Sequence, residues 1–225
     1  MAFPYQTVLY DLDGTLIDQF NVIYRCYSYA LSTLSLPVPS RKTVVETVGG
    51  SMEVTMTHFV DAKNHKKAVR LFREHFQKIA LDEVSVLPGV AGVLANLHQK
   101  NIPQAVFTNK NGRAARLVCQ HLKLTPFLQA IVGTNDTAYR KPQPEFTRHI
   151  LQMVKATPEN CCLVGDSPFD IKAGKAVGMA VYGVETGTHC REALQLAGAS
   201  EVYATLPEWY QALSKGIPHK EEIVR

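Results

Sequence analysis

The chain of 225 residues lacks the features of a membrane or exported protein. It has no run of about 18 apolar residues, the length that a membrane-spanning helix needs. Its N-terminus enters an apolar, strand-like segment almost at once, without the basic and then apolar stretches of a signal peptide. These absences predict a cytoplasmic protein with no membrane partner.

Cysteine and histidine are present without the spacing of a metal site. The five cysteines are odd in number and include no CxxC pair, and the eight histidines also lack metal-site spacing. Cys161 and Cys162 are adjacent within an apolar segment. We expect at least one of them to pack in the core as a small hydrophobic residue.

The chain also has little excess of positive over negative charge. The net charge is only +4, and the densest basic run is Lys66-Lys67. A solvated helix face explains that pair, so the composition does not indicate a nucleic-acid partner. A slightly positive field suits a small anionic ligand. Hydrophobic residues make up 46% and charged residues 20% of the chain, which predicts a soluble globular protein.

The spacing of apolar residues divides the chain into two regions. After a first strand, residues 19–84 have helical spacing throughout; beyond them, strands alternate with helices. The predicted strands cover residues 7–10, 103–108, 130–133, 161–166, 179–184 and 201–203. The predicted helices cover residues 20–34, 41–47, 51–60, 63–79, 90–100, 112–122, 145–154, 171–177 and 206–214. The polar tail, 216–225, is expected to be mobile.

Alternating strands and helices predict an α/β fold, a doubly wound, Rossmann-like parallel sheet with helices on both faces. Ligands of such sheets bind beyond the carboxyl ends of the strands, at the topological switch point. The helical region follows the first strand directly. It is therefore expected to form an inserted α-helical domain above the ligand site.

Two carboxylates, Asp11 and Asp13, directly follow the first strand. Side chains two residues apart in an extended segment point the same way, so both would be presented together. Burying two unpaired like charges is costly, and a hard divalent cation is the simplest partner for them. A plain turn would explain Gly14 and one aspartate, but not the pair.

Polar residues also follow later strands. Thr108 and Asn109 could donate hydrogen bonds to a phosphate oxygen, although Thr-Asn is also an ordinary turn. Lys141, just before a helix, is either an exposed lysine or a point charge that balances an anionic cluster. Asp166 and Asp170 follow an apolar strand that ends in glycine, as at the first strand.

Residues 11–16, Asp-Leu-Asp-Gly-Thr-Leu, resemble the first motif of the haloacid dehalogenase superfamily of phosphohydrolases. The other parts of that family's pattern follow in the expected order: Thr108, then Lys141, then Asp166 with Asp170. The helical region resembles the family's cap domain. The resemblance covers the whole chain and implies a core domain at 1–18 and 85–225 with a helical cap domain at 19–84.

The resemblance also implies roles for these residues. Asp11 would be the nucleophile that forms an aspartyl-phosphate, and Asp13 would be the general acid and then the general base. Mg²⁺ would be bound by the Asp11 carboxylate, the Asp13 carbonyl and Asp166, with Asp170 as metal support.

The phosphate would be held by Thr108, Lys141 and the backbone near Asn109. An acid at position 13 is typical of the members that hydrolyse phosphate esters, although phosphomutases share it. The implied activity is that of a Mg²⁺-dependent phosphatase, a phosphoric monoester hydrolase that acts on a small phosphorylated metabolite.

Cap residues should select the leaving group. The candidates are the Gly49-Gly50 loop, whose backbone can approach a ligand closely, and the cap cation Arg25. A plain interhelical turn and a water-facing arginine are the alternatives. The resemblance is to the phosphoglycolate phosphatase and pyrophosphatase group. A pyrophosphatase, a nucleotide or sugar-phosphate phosphatase, and a non-catalytic phosphate-binding regulatory protein stay open, as do a monomer and a homodimer.

Overall fold

Six parallel strands form the central sheet of the computed structural model, which describes residues 3–215. In chain order the strands are β1 (Thr7–Tyr10), β2 (Ile17–Asp18), β3 (Ser85–Val86), β4 (Gln104–Asn111), β5 (Ala130–Thr134), β6 (Cys161–Gly165), β7 (Ala180–Val184) and β8 (Glu201–Tyr203). The helices are α1 (Phe20–Thr33), α2 (Arg41–Thr47), α3 (Met52–Met56), α4 (Ala62–Ile79), α5 (Val90–Gln99), α6 (Gly112–His121), α7 (Pro144–Val154), α8 (Pro168–Lys175), α9 (Arg191–Leu196) and α10 (Leu206–Lys215). The predicted tail at 216–225 lies outside the described residues.

The sheet has the order β5-β4-β1-β6-β7-β8, and each neighbouring pair is parallel. From β1 the chain moves to β4 and β5 on one side and then crosses to β6, β7 and β8 on the other. The predicted doubly wound sheet is therefore confirmed. Its order reverses at β1, so the switch point lies where Asp11 follows that strand.

The side chains of successive β1 residues lie on opposite faces of the sheet. Val8 and Tyr10 belong to one apolar cluster, with Trp209 of α10, whereas Leu9 belongs to a second, with Ile150 of α7. All four residues of β1 are buried. Alternation with apolar residues on both faces is what a strand covered by helices on each side requires.

The two adjacent cysteines follow the same alternation in β6. Cys162 packs in the first cluster and Cys161 in the second, and both are fully buried. The expectation of a core cysteine is therefore confirmed for both. Burial raises the pKa of the Cys161 thiol to about 12, so this thiol is a packing group at neutral pH.

The helical region α1–α4 has an apolar core of its own. Tyr27 of α1 lies edge-on to Phe72 of α4, with ring centroids 4.8 Å apart. Ser40 is the N-cap of α2, and its hydroxyl accepts a hydrogen bond from the Thr43 amide. None of the helices among residues 3–215 is long and apolar enough to cross a membrane.

Several boundaries differ from prediction. The antiparallel ribbon of β2 and β3 was not predicted, because two residues per strand show no periodicity. Helix α8 begins at Pro168 rather than Ile171, since Ser167 and Asp170 form a capping box before its first apolar turn. The six-residue α9 was missed, and α3 ends at Met56 rather than at residue 60.

Candidate active site

The carboxyl ends of β1, β4 and β6 meet at a small cavity of about 30 Å³. The loop between α2 and α3 lines the same cavity from the helical region, so two parts of the chain enclose it. The lining residues are Asp11, Asp13, Val48, Gly49, Gly50, Thr108, Asn109, Lys110, Asp166 and Thr188.

Lys141 provides a buried positive charge beside the cavity. Its side chain is only 1% exposed, and its ammonium lies 2.9 Å from Asp11 Oδ1 and 2.5 Å from Asp170 Oδ1. It also donates to the Phe107 carbonyl at 2.8 Å. Burial lowers the pKa of Lys141, but Asp11 and Asp170 outweigh that effect, and the net shift is upward. Lys141 is therefore a permanent cation at neutral pH.

Three buried carboxylates, those of Asp11, Asp166 and Asp170, each bring one oxygen within 4.8 Å of the others. When all three are ionised, Lys141 offsets one of their negative charges and leaves two without a cation. Burial, with Asp11 and Asp170 as like-charged neighbours, raises the pKa of Asp166 well above its usual range. The cluster therefore has the charge and the oxygen donors that suit a hard divalent cation.

The individual oxygens differ in what they can still accept. Both oxygens of Asp170 are engaged by the protein, since Lys141 donates to Oδ1 while Ser167 donates its amide at 3.0 Å and its hydroxyl at 2.6 Å to Oδ2. Oδ1 of Asp11 is buried and pairs with Lys141 without hydrogen-bond geometry. Asp11 and Asp166 are thus better placed than Asp170 to hold a cation directly.

Asp13 is paired with Lys110, whose ammonium donates to Oδ1 at 3.0 Å and to Oδ2 at 2.8 Å. The two side chains are 13% and 8% exposed. Burial raises the pKa of Asp13, and Lys110 opposes part of that rise. Asp13 is thus held apart from the buried cluster by a cation of its own.

Thr188 fixes the orientation of Asp166. Its amide donates to Asp166 Oδ2 at 2.9 Å and its hydroxyl at 3.1 Å, while Thr15 makes only a long contact, 3.4 Å, with Oδ1. Oδ2 of Asp166 therefore accepts two hydrogen bonds, whereas Oδ1 accepts only the long one from Thr15.

The side chain of Asn109 joins the cavity to the helical region. Its amide group donates to the Gly49 carbonyl at 3.0 Å and to the Lys141 carbonyl at 3.2 Å, and its oxygen accepts from the Lys141 amide at 2.9 Å. Gly49 has φ +136°, and a Cβ there would lie 3.2 Å from the Phe169 ring. Glycine thus permits the close approach of this loop.

Most of the predicted site residues lie together. Asp11, Asp13, Thr108, Asn109, Gly49, Gly50 and Asp166 line the cavity, and Lys141 and Asp170 lie against its acidic cluster. Arg25 does not line it. Its guanidinium pairs instead with Asp82 at 3.3 Å and Glu83 at 2.9 Å, beside the entry to β3, which is a structural contact.

The sequence alone indicates no role for Lys110 or Thr188. Lys110 had a signal, since it lies two residues beyond Thr108 in a segment that stays extended to Asn111. Thr188 had none, because it reaches Asp166 from a loop after β7 whose path depends on the fold.

The chain is similar in sequence to a known protein family and to named proteins. A family model described as haloacid dehalogenase-like hydrolase matches residues 8–184. The phosphoglycolate phosphatase of Escherichia coli (strain K12) is 26% identical over 238 residues, which covers 95% of this chain and 94% of that protein. The corresponding protein of Salmonella typhi is also 26% identical with the same coverage.

Solved structures share the fold. A predicted phosphatase from Clostridium acetobutylicum has a TM-score of 0.87 at 23% identity, covering 94% of this chain and 99% of that chain. A predicted phosphoglycolate phosphatase from Haemophilus somnus 129PT has a TM-score of 0.84 at 20% identity, covering 94% and 97%. The family match spans the strand before Asp11 through the end of β7, and this chain belongs to the haloacid dehalogenase-like hydrolases.

Proposed function

We propose that this protein is a Mg²⁺-dependent phosphatase that cleaves a small phosphorylated metabolite, a phosphoglycolate-like monoester, through an aspartyl-phosphate on Asp11. One observation carries the proposal. A carboxylate at the switch point of the sheet is paired with a buried lysine, while a second carboxylate two residues later is paired with a different lysine. The names of the curated relatives support the choice of substrate.

Asp11 attacks phosphorus, because it combines access to the cavity with a partner that offsets charge. A carboxylate approaching a phosphate dianion meets repulsion, and the ammonium of Lys141, 2.9 Å from Oδ1, reduces it. The covalent intermediate divides one difficult displacement into two easier ones. Asp170 acts indirectly, by holding Lys141 in place.

Asp13 transfers the proton. Two residues beyond Asp11, it lines the same cavity without joining the buried cluster. Its protonated carboxyl would donate to the leaving oxygen, and its carboxylate would then take a proton from the attacking water. The raised pKa of Asp13 suits a group that must exist in both forms. Thr108, which also lines the cavity, would donate to a phosphoryl oxygen.

Asp11 and Asp166, with the Asp13 carbonyl as a third donor, would hold Mg²⁺. When bound, the ion offsets the two uncompensated negative charges and stabilises charge on the phosphoryl oxygens. Thr188 keeps one oxygen of Asp166 occupied and so orients the other.

We assign residues 1–18 and 85–225 to the core domain and 19–84 to the cap domain. The separate apolar core of α1–α4 supports this division, as does the position of the β2–β3 ribbon at both boundaries. The cap contributes the loop at Gly49 and Gly50 to the cavity, which would select the leaving group. The proposed setting is cytoplasmic, as a monomer or homodimer.

The test is phosphate release from a panel of compounds, with Mg²⁺ and with EDTA. The panel contains 2-phosphoglycolate, pyrophosphate, a sugar phosphate and a nucleoside monophosphate. Mg²⁺-dependent release, greatest for 2-phosphoglycolate, is the expected result. A preference for pyrophosphate, a sugar phosphate or a nucleoside phosphate would change the proposed substrate. The proposed reaction, Mg²⁺-dependent release of phosphate, would stand. No release from any compound by the folded protein would favour the non-catalytic, phosphate-binding alternative.

A further inference from the structure

Lys110 is a cation that the proposed chemistry does not use. Its ammonium lies between the core and the cap, 2.8 Å from Asp13 Oδ2 and 5.2 Å from the centroid of the Phe76 ring in α4. Among the ten residues that line the cavity it is the only one with a positive charge. It is therefore the cationic group that an anionic ligand in the cavity would meet beside Asp13.

The two lysines of the site differ in what they can still bind. Lys141 donates hydrogen bonds to Asp170 and to the Phe107 carbonyl, and the same buried ammonium forms an ion pair with Asp11 at 2.9 Å, so protein groups surround it. Lys110 makes its two hydrogen bonds to one carboxylate, that of Asp13. A lysine ammonium has three donors, so Lys110 keeps at least one for a ligand.

The position of Lys110 relative to the chemistry follows from its partner. Asp13 must face the ester oxygen to protonate it, and the Lys110 ammonium lies within 3.0 Å of both Asp13 oxygens. An anionic group a few bonds beyond the ester oxygen can therefore reach Lys110. A leaving group that is a neutral alcohol has no anion for the Lys110 ammonium, which then contacts Asp13 alone.

We propose that Lys110 is a specificity-determining residue that selects substrates whose leaving group carries a second negative charge, a carboxylate or a phosphate, next to the ester oxygen. This inference rests on the proposed function and adds the feature of the substrate that the site recognises, the negative charge on the leaving group. A charge-assisted hydrogen bond of this kind corresponds to roughly a 10- to 100-fold preference.

The experiment compares matched substrates in matched variants. The substrates are 2-phosphoglycolate and 2-hydroxyethyl phosphate, which are similar in size but differ in whether the leaving group is charged. Pyrophosphate is a third substrate that separates a phosphate from a carboxylate. The variants are Lys110→Met and Lys110→Arg, with Lys42→Met as the control because Lys42 is an exposed cap lysine with a side chain 83% exposed.

Wild type and Lys42→Met should prefer 2-phosphoglycolate to 2-hydroxyethyl phosphate by about 10- to 100-fold in kcat/KM. Lys110→Met should reduce this ratio to about 3 or below, and Lys110→Arg should restore much of it. A larger Lys110→Met loss for pyrophosphate than for 2-phosphoglycolate would identify a phosphate as the preferred second anion. Equal losses for all three substrates would overturn the inference, since Lys110 would then act on Asp13 alone.

Binding separates this inference from the proposed function. In the Asp11→Asn background, calorimetry should show tighter binding of 2-phosphoglycolate than of 2-hydroxyethyl phosphate, and Lys110→Met should remove the difference. If wild type releases no phosphate but this binding difference is found, the hydrolytic proposal fails and the role of Lys110 stands. Equal binding of both compounds, with or without Lys110, overturns the role.

Discussion

At the scale of single residues, position matters more than residue type. Asp11, Asp13, Asp166 and Asp170 are all buried or nearly buried aspartates, yet each has different partners. Asp13 pairs with Lys110, and Asp166 accepts from Thr188. Asp170 accepts from both Lys141 and Ser167. Asp11 alone combines a cavity-facing carboxylate with the buried ammonium of Lys141.

Replacing Asp11 with asparagine should abolish turnover and leave the fold intact. The amide has almost the same shape, but it is a poor nucleophile and carries no charge to pair with Lys141. Phosphate release should fall at least about 1,000-fold, the order of loss expected when a nucleophile is removed. The circular dichroism spectrum should match that of wild type. Turnover near the wild-type rate would refute the nucleophile assignment.

Asp136 provides a stability prediction outside the cavity. It accepts two hydrogen bonds from the Arg116 guanidinium, at 2.8 and 2.9 Å, and one from the Gly133 amide at 3.0 Å. The Arg116 hydrogen bonds lower the pKa of Asp136. Because the pair is partly exposed, Asp136→Asn should reduce the free energy of unfolding at pH 7 by only about 1 kcal/mol.

The pH dependence has a definite sign. A carboxyl with a lowered folded-state pKa stabilises the protein above its unfolded pKa of about 3.9, and the effect disappears as pH falls through the folded value. The difference between wild type and Asp136→Asn should hold from pH 7 to about 5 and shrink below about 4. Urea unfolding measures it. Glu74→Gln, at a looser and exposed pair with Arg70, is the control. A difference that grows on acidification would contradict the prediction.

At the scale of elements, the loop between α2 and α3 connects the helical region α1–α4 to the residues around the cavity. It contacts Asn109 through the Gly49 carbonyl, and both of its glycines face the Phe169 ring. Asn109 connects the same loop to the backbone of Lys141. The position of the cap is therefore linked through one side chain to the segment that carries the buried cation.

The two glycines of this loop form a matched pair for a test. Gly49 has φ +136°, which strains any other residue, whereas a Cβ on Gly50 would only reach ordinary contact distance, 3.4 Å, from Phe169. Gly49→Ala should lower kcat/KM at least about 10-fold, since backbone strain of this kind costs on the order of 1–3 kcal/mol. Gly50→Ala should stay within about 3-fold of wild type. Equal effects of the two substitutions would show that the strained conformation is not required.

Elements with a strong periodic pattern could be predicted, and contacts between distant segments could not. The run at 7–10 is apolar on both faces, which is why β1 was found with its observed bounds. The β2–β3 ribbon depends on pairing between Ile17 and Val86, which no local pattern encodes. The acidic residues of the site could be predicted because each follows a strand. The pairing of Lys110 with Asp13 could not, because it joins two segments that only the folded chain brings together.

At the scale of the whole molecule, the uncompensated charge of the acidic cluster should make stability depend on Mg²⁺. An ion that binds only the folded state at 100 times its dissociation constant adds about 2.7 kcal/mol. For a chain of this size that corresponds to a rise in Tm of roughly 5–10 °C. Differential scanning calorimetry in EDTA and in increasing MgCl₂, at constant ionic strength, measures it.

The variant Asp166→Asn is the matched control for this measurement. It removes one of three neighbouring negative charges, so its Tm in EDTA should equal or exceed that of wild type. Its Tm should then change little with MgCl₂. If the Tm of Asp166→Asn still rises with MgCl₂ as in wild type, Mg²⁺ binds at a site that does not include Asp166.

The ribbon of β2 and β3 has a consequence for how such a protein can evolve. Ile17 pairs with Val86 and Asp18 with Ser85, so the helical region α1–α4 begins and ends beside the same two-stranded ribbon. Partners in an antiparallel pair lie only about 5 Å apart. The intervening segment can therefore be lengthened, shortened or exchanged for another without rethreading the sheet. Recombination at this junction could give the same chemical centre a new set of substrates, and a chimera joined at residues 18 and 85 is the natural unit for redesign.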